Sequence, residues 1–430
     1  MKKTISILMT AVLAFSLAAC GQTEAPQSVA AGSDSTVSEP EAQTESGLHS
    51  ADGQSQQHFV YNDNIYSECV LQTVDYEQNR RGFFCAKPGC THKDDSCPAV
   101  LYYNNSDTFA VVNGIAVLDD NTVAAAVVID DRQGYKIVLT HRDGSPKELL
   151  VDGSGSGHGA ILEAWDDTYL YYGVYTPHEG SESEWVSYTE ELFRVPIAGG
   201  ESEKLYDLPP SYRKLGVQDG KRIVMTSDSS ATITTERVVA TDILTGETQE
   251  LASWDDSGLL DEWKFCFDNG VLCYTNMIIG EENDTLAKPI QWRTLAGEKG
   301  EVLVQWPEDV KNNQLMDLDL EAVIGEELVL SVWGNWSLQN GPYRLAVNLK
   351  TGETRPLTLG CVNDLERRIE IRAQTEDNLL VVFGTSQSGE TKLDAEGLPI
   401  TEPTDNTRWG LISKADFMNN QPNYREMQLG

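Results

Sequence analysis

Three cysteines and a histidine lie within a short stretch of the sequence, residues 84–98, which reads FCAKPGCTHKDDSCP. They are Cys85, Cys90, His92 and Cys97, in a chain with eight cysteines and six histidines in all. Three thiolates and one imidazole form an accepted tetrahedral ligand set for zinc. The intervals between them differ from the common Cys-x-x-Cys spacing, so this pattern is less specific than a zinc knuckle.

Turn-forming residues favour convergence of these four side chains. The stretch KPGC, residues 87–90, has the proline and glycine order of a type II turn, which would bring Cys90 back towards Cys85. Residues 94–96 are predicted to turn the chain again, towards Cys97. A metal site, with zinc as the expected ion, is therefore one interpretation of the group.

A disulfide is the other interpretation, because exported chains can oxidise. It would lie within the group, with Cys69 as a further candidate partner. Outside the group, Cys266 and Cys273 flank FDNGVL, and they should face each other on adjacent strands if the Asn-Gly pair forms a two-residue turn. The sequence leaves metal and disulfide open.

The start of the chain indicates the compartment. Lys2 and Lys3 precede an uncharged apolar run over residues 5–19, which is typical of a signal peptide and too short to span a membrane permanently. The following LAAC resembles the lipobox of bacterial lipoproteins, in which a peptidase cuts before the cysteine and the thiol receives a lipid. The resemblance implies a signal peptide at residues 1–19, a lipid on Cys20, and anchoring to the extracytoplasmic face of the cell membrane.

The segment after the lipobox is predicted to be a disordered tether, residues 20–57. It has almost no large apolar side chains and no lysine or arginine, so it cannot bury enough surface to offset its ordering entropy. The folded domain is predicted over residues 58–430. The net charge of −35 repels phosphate groups, which argues against a nucleic-acid partner.

An internal repeat organises the remaining chain. Alternating apolar segments recur every 50 to 53 residues, beginning near Phe109, Ile161, Arg213, Trp263, Met316 and Arg368. Each unit contains four short strand patterns with turn residues between them and no convincing amphipathic helix, which is typical of propeller blades. With His58 to Cys85 as the later strands of a further unit, we expect an all-β propeller of seven blades; six or eight remain alternatives. Residues 85–97 are then expected to lie in a connection from one blade to the next, which opens on the same face as the loops between second and third strands.

Three hairpins carry a family resemblance: RVPIAGGESEKLYDL, ATDILTGETQELASW and AVNLKTGETRPLTL. They resemble the outer hairpins of TolB-like propellers. The passage over residues 71–99 also resembles the opening of surface lipoproteins of gut Firmicutes, which share a Cys, Pro, Cys, His, Cys pattern. These resemblances imply shape and location, and they carry over no catalytic residue.

Aromatic residues mark a candidate ligand site. Trp185, Trp333 and Trp336 fall in or beside predicted loops between second and third strands, where rings can stack on the apolar faces of sugars. Acidic residues 317, 319 and 321 share one face of a predicted inner strand, as do charged residues 368, 370 and 372. They could line a polar channel that holds a cation or charged solute, but a solvated or mutually paired charge ladder is favoured for both.

No acid–base pair, nucleophile with a partner or cofactor fingerprint stands out in the sequence. We therefore expect a binding module for an extracellular solute, glycan or protein, without catalytic or cofactor-binding residues. An extracellular enzyme acting on glycans or peptides is the alternative, and an envelope assembly protein is a third reading.

Overall fold

Seven sheets of four or five strands surround a common axis in the described part of the chain. A computed structural model describes residues 47–62, 69–102, 110–129, 134–177, 188–209, 211, 213–229, 234–256, 261–278, 288–311, 315–334, 343–362, 364–385 and 407–429. Each sheet is one blade, so the predicted all-β propeller with seven blades is confirmed.

The strands follow the chain blade by blade. A short strand, β1 (His49–Ser50), precedes the first blade, which contains β2 (His58–Asn62), β3 (Cys69–Asp75), β4 (Arg80–Phe83) and β5 (Val100–Tyr102). The second blade contains β6 (Ala110–Val117), β7 (Thr122–Ile129), β8 (Gly134–His141) and β9 (Glu148–Ser154). The third contains β10 (Gly159–Trp165), β11 (Tyr169–Pro177), β12 (Tyr188–Pro196) and β13 (Glu203–Leu208).

The later blades repeat this order. The fourth contains β14 (Arg213–Gln218), β15 (Lys221–Ser229), β16 (Thr234–Asp242) and β17 (Thr248–Asp256), and the fifth β18 (Asp261–Asp268), β19 (Val271–Ile278), β20 (Ile290–Thr294) and β21 (Lys299–Val302). A short helix, α1 (Glu308–Lys311), precedes the sixth blade, which contains β22 (Leu315–Ile324), β23 (Glu327–Gly334), β24 (Tyr343–Asn348) and β25 (Thr354–Pro356). The first strands of blades two to six begin within two residues of the predicted repeat starts.

The chain ends in the seventh blade and then returns to the first. A hairpin, β26 (Gly360–Cys361) and β27 (Asp364–Arg368), leads to β28 (Glu370–Gln374), β29 (Asn378–Thr385), β30 (Thr407–Ser413), helix α2 (Lys414–Met418) and β31 (Arg425–Glu426). The last strand, β32 (Gln428–Leu429), pairs with β4 and so joins the C-terminus to the N-terminal blade. No helix among the described residues is long and apolar enough to cross a membrane.

The core lies between the blades. Each pair of neighbouring blades shares an apolar cluster of described residues, and the first and second blades share two. At the closing interface, Val74 and Tyr76 of the first blade pack against Leu380 and Trp409 of the seventh. Sheets stacked in this way must be apolar on both faces, which explains the long buried runs in β7 and β23.

Residues before His58 also belong to the folded domain. Strand β1 pairs with β10 of the third blade, and Ala51, which is 3% exposed, packs in the cluster between the second and third blades. Composition placed these residues in the tether, which was predicted to end at residue 57. Main-chain hydrogen bonds hold these residues in the fold, and such bonds do not require the apolar side chains by which composition indicates a folded segment.

Candidate metal centre

The Cys-His group lies in a segment that leaves the first blade. Strand β4 pairs with residues 72–75 of β3 and β5 pairs with residues 69 and 70, so residues 84–99 lie between two strands that pair with the same neighbour. The segment packs beside the β8–β9 turn of the second blade, where the backbone N–H of Ala86 donates to the Arg142 carbonyl at 2.6 Å and the Thr140 hydroxyl to the Pro98 carbonyl at 2.8 Å.

This position corrects one prediction. The segment was expected to open on the same face as the loops between second and third strands. In an antiparallel blade, the β8–β9 turn lies at the end opposite to the β7–β8 connection. The prediction was wrong because the segment contacts the β8–β9 turn rather than passing from a blade's last strand directly to the next blade.

The four predicted ligands converge. One ligand atom from each of Cys85, Cys90, His92 and Cys97 lies within 4.8 Å of all the others, and His92 Nδ1 is 3.3 Å from Cys97 Sγ. Ligand atoms around a tetrahedral zinc lie about 3.4–3.8 Å apart, given bond lengths of about 2.0–2.3 Å. No described cysteine forms a disulfide. The arrangement is therefore that of a group close enough to hold a metal ion.

Local turns produce this convergence. Cys90 N–H donates to the Lys87 carbonyl at 3.3 Å, and Gly89 has a φ of +69°, as the third residue of a type II turn requires. His92 has a φ of +57°, which turns the chain a second time. Cys97 N–H then donates to the Asp94 carbonyl at 3.0 Å and closes the third turn. Both turns predicted from the sequence are present.

Backbone N–H groups point at the three sulfurs in a regular way. The Cys85 thiol is hydrogen-bonded by the backbone of Lys87, the Cys90 thiol by that of His92, and the Cys97 thiol by that of Ala99. Each donor is two residues beyond its cysteine. Such bonds stabilise thiolates, the form that binds a cation.

The pKa values of the thiols reflect burial and these bonds. Burial raises the pKa of Cys97 to about 12 and also raises the pKa of Cys85. For Cys90, burial acts in the same direction, but bonds from the His92 backbone and the other two thiols outweigh it and lower the pKa. A bound divalent cation would lower all three, because it stabilises the thiolate directly.

Groups around the centre match a negatively charged complex. The Lys147 ammonium donates to the Asp95 carbonyl at 2.8 Å, and the Lys87 ammonium donates to the Ser96 carbonyl at 3.2 Å. Three thiolates around a divalent ion would leave one net negative charge, which these two cations would offset. The His92 ring stacks on Phe83 with 4.3 Å between centroids, which fixes its orientation.

The remaining described thiols are buried elsewhere. Cys69 is 0% exposed among apolar residues and lies outside the Cys-His group. Cys266 and Cys273 are directly opposite each other on β18 and β19, as predicted, and the connecting Asn269 and Gly270 have φ values of 50° and 73°. These two values are typical of a type I′ turn.

Of the three tryptophans predicted to form a ligand site, here called the aromatic platform, one lies among the described residues. Trp185 and Trp336 lie outside the described residues. Trp333 is the penultimate residue of β23. Its side chain is 38% exposed and hydrogen-bonds the Asp319 side chain. Its partner strand also carries Asp317, which forms an ion pair with Lys264 at 2.8 Å. Cys20, the predicted lipid site, is likewise outside the described residues.

Both charge ladders contain paired residues. Glu321 pairs with Arg344 at 2.8 Å, and Arg372 pairs with Glu370 at 3.2 Å. Arg368 donates to the Thr358 carbonyl at 3.2 Å. The favoured reading of mutually paired charges therefore agrees with these contacts.

Two buried polar groups escaped sequence reasoning. Between the third and fourth blades, Arg222 donates to Glu163 at 2.8 Å and to Glu190 at 2.7 Å, while Lys214 pairs with Glu163 at 2.7 Å. Asp268 of β18 accepts from Val323 N–H at 2.6 Å and from the Gln374 amide at 2.7 Å, in two other blades.

One signal was available for the first of these groups. A charged residue amid the apolar run of β10, Glu163, is out of keeping with a buried strand, and the β10–β11 register shifts there. For Asp268 no such signal existed, because its partners are distant in sequence.

Similarity to known proteins is found among solved structures alone. No family model and no curated sequence matches the chain. Among solved structures, oligopeptidase B from Leishmania major is 12% identical over 90% of this chain and 49% of its own (TM-score 0.41), so this chain spans about half of that protein. TolB from Acinetobacter baumannii is 10% identical over 84% and 76% (TM-score 0.31), and an oligogalacturonate lyase from Vibrio parahaemolyticus is 10% identical over 86% and 84% (TM-score 0.38).

Proposed function

We propose that the Cys-His group binds one zinc ion with a structural role. The convergence of one nitrogen and three sulfur atoms carries this proposal. Thiolate and imidazole ligands in a four-coordinate set favour zinc over magnesium or calcium, which prefer oxygen. Four protein ligands fill a tetrahedral shell and leave no position for a reacting water, so the centre would stabilise rather than catalyse.

Zinc would stabilise the conformation of the segment that carries the four ligands. None of the side chains of residues 86–96 is buried, so apolar packing contributes little to the shape of the segment. Metal binding would supply the missing free energy, as it does in small zinc domains. Because the segment contacts the β8–β9 turn, the ion would also hold the first blade against the second.

We further propose that the chain is a lipid-anchored binding protein on the extracytoplasmic face of the membrane. The LAAC sequence supports the anchor. For the binding role, support comes from Trp333, whose partly exposed ring lies beside the Asp319 carboxylate. A ring face and a carboxylate acceptor suit a glycan, since sugars present apolar faces and hydroxyl donors.

One experiment tests the lipid anchor and a second tests the glycan-binding role. Cys20→Ala should move the protein from the detergent phase to the aqueous phase, whereas a wild-type protein found wholly in the culture medium would contradict the anchor. On a glycan array, Trp333→Ala should abolish a signal that Leu149→Ala, a change at a more exposed apolar residue on another blade, leaves intact. Equal signals from both variants would contradict the platform.

A further inference from the structure

Residues 48–54, LHSADGQ, form an extended segment, here called the strap, along the inner strands of the propeller. The first strands of neighbouring blades contact one another and so surround the axis. Strand β1, within the strap, adds to the free edge of β10, with His49 opposite Trp165 and Ser50 opposite Ala164. The third blade thereby gains a fifth strand.

Main-chain hydrogen bonds continue beyond β1 into other blades. Ala51 N–H donates to the Glu163 carbonyl at 3.1 Å in the third blade, and the Ala51 carbonyl accepts from Ile115 N–H at 2.9 Å in the second. Gly53 N–H donates to the Ile115 carbonyl at 2.8 Å, and the Gly53 carbonyl accepts from Val60 N–H at 2.7 Å. The strap therefore joins three blades through its backbone.

The end of the strap also contacts the seventh blade. The Gln54 side-chain amide donates to the Gln374 carbonyl of the seventh blade. At the start, Leu48 packs with the apolar cluster between the third and fourth blades, and the His49 ring lies 4.4 Å from the Trp165 ring.

Side-chain size is restricted at two positions. Ala51 is 3% exposed among packed side chains. Gly53 has a φ of +80°, and a Cβ there would lie 2.0 Å from the Val60 carbonyl oxygen. The strap thus shows the two features of peptide recognition by strand addition: backbone bonds that any sequence can make, and pockets that select particular side chains.

We propose that the inner strand edges of the second and third blades form a binding site for an extended peptide with a small residue two positions before a glycine. In this structure the chain's own strap occupies that site. The strap is a displaceable occupant, and a peptide of the same pattern from another exported protein would compete for the site when the strap is released.

The test separates the strap from the chain after folding. A specific protease site is inserted between Gln56 and Gln57, which are both exposed, in the full chain. The purified protein is cut, and cleavage is verified by mass spectrometry. A fluorescent peptide spanning residues 45–56 is then added, and its anisotropy is measured. We expect saturable binding to the cut protein and at least ten-fold weaker binding to the uncut protein, in which the tethered strap competes at high effective concentration.

Two glycines supply a matched pair of peptides. Gly47 and Gly53 both have positive φ, but a Cβ at position 47 meets nothing within 4 Å. The Gly53→Ala peptide should bind at least ten-fold more weakly than the Gly47→Ala peptide. The proposal is overturned if the cut protein binds no peptide within a day, if both variants bind equally, or if the cut protein unfolds and excess peptide does not restore its circular dichroism.

Discussion

Two regions of this protein bring cysteines together, and they do so by different means. In the β18–β19 hairpin, Cys266 and Cys273 are 9% and 0% exposed and owe their position to strand pairing and apolar packing. In the segment from Cys85 to Cys97, three turns bring the thiols together at the edge of a blade, with no side chain between them buried.

The difference lies in what surrounds the sulfurs. Backbone N–H groups and an imidazole contact the thiols of the segment, and the charges of two lysines act on them, all of which favours a thiolate–metal complex. Burial raises the pKa of Cys273 above its ordinary range, and the neighbouring Asp268 adds to the effect. Proximity of thiols is therefore insufficient for a metal site, because the neighbours must also stabilise negative charge.

Removal of a ligand should have the largest effect. Cys97→Ala is expected to reduce zinc from one per chain to near zero and to lower the free energy of unfolding by at least about 3 kcal/mol, since structural zinc contributes about 10–16 kcal/mol of apparent binding free energy in peptides. Cys273→Ala, an equally buried control, should keep the zinc and lose about 1–2 kcal/mol. Metal analysis and denaturant unfolding measure both, and equal losses in the two variants would contradict the proposed contrast.

A pH effect of intermediate size is expected from the hairpin. Burial raises the pKa of Asp268 from 3.8 to about 7, so the folded protein holds this proton more tightly than the unfolded chain does. Its contribution to stability is then fully present below about pH 4 and is lost as the pH rises towards 7.

Asp268→Asn should remove that dependence, because the amide oxygen can still accept both hydrogen bonds and carries no charge. Between pH 4 and pH 8, the free energy of unfolding should fall in the wild type, and the fall should be smaller in the variant by on the order of 2–4 kcal/mol. Urea unfolding at several pH values measures this. A variant that is less stable than the wild type at pH 8 would show that Asp268 is favourably ionised in the fold.

The Glu163 carboxyl provides a contrast of opposite sign. Burial alone would raise its pKa, but the charges of Lys214 and Arg222 lower it. Glu163→Gln should therefore lose stability mainly above about pH 4, where the wild-type carboxylate is ionised and paired. If Glu163→Gln and Asp268→Asn changed the pH profile in the same direction, the assigned neighbours would be wrong.

The smallest effect concerns thiol reactivity. In native protein with zinc bound, we expect iodoacetamide to modify Cys85 and Cys90 slowly, and a chelator to accelerate both several-fold because they are only half-buried. Cys266 and Cys273 should remain unmodified with or without the chelator. Peptide mapping by mass spectrometry distinguishes the sites, and a chelator that changes no rate would contradict metal protection.

The sequence predicted the local features of the site and missed the distant ones. The proline and glycine of KPGC were sufficient to predict the turn that closes on Cys90, because turn geometry depends on adjacent residues. The position beside Arg142 was not predictable in this way, because it depends on how two blades pack. Asp268 illustrates the same limit, since its partners Val323 and Gln374 lie 55 and 106 residues away.

The fold was predictable because a repeat amplifies weak signals. The strand pattern of one four-stranded unit is ambiguous. Its recurrence every 50 to 53 residues indicates a repeated unit in which each copy packs on its neighbours in the same way. The strap was missed because residues such as Ala51 and Gly53 bind through their backbones, and composition reports mainly on side chains.

The most direct test of the metal centre is X-ray absorption at the zinc edge on the full chain purified under reducing conditions. We expect one zinc per chain with three sulfur ligands at about 2.3 Å and one nitrogen at about 2.0–2.1 Å, and loss of the nitrogen in His92→Ala. A protein that holds no stoichiometric metal, with two of the three sulfurs joined at about 2.05 Å, would contradict the proposed metal centre and assign the group to a disulfide.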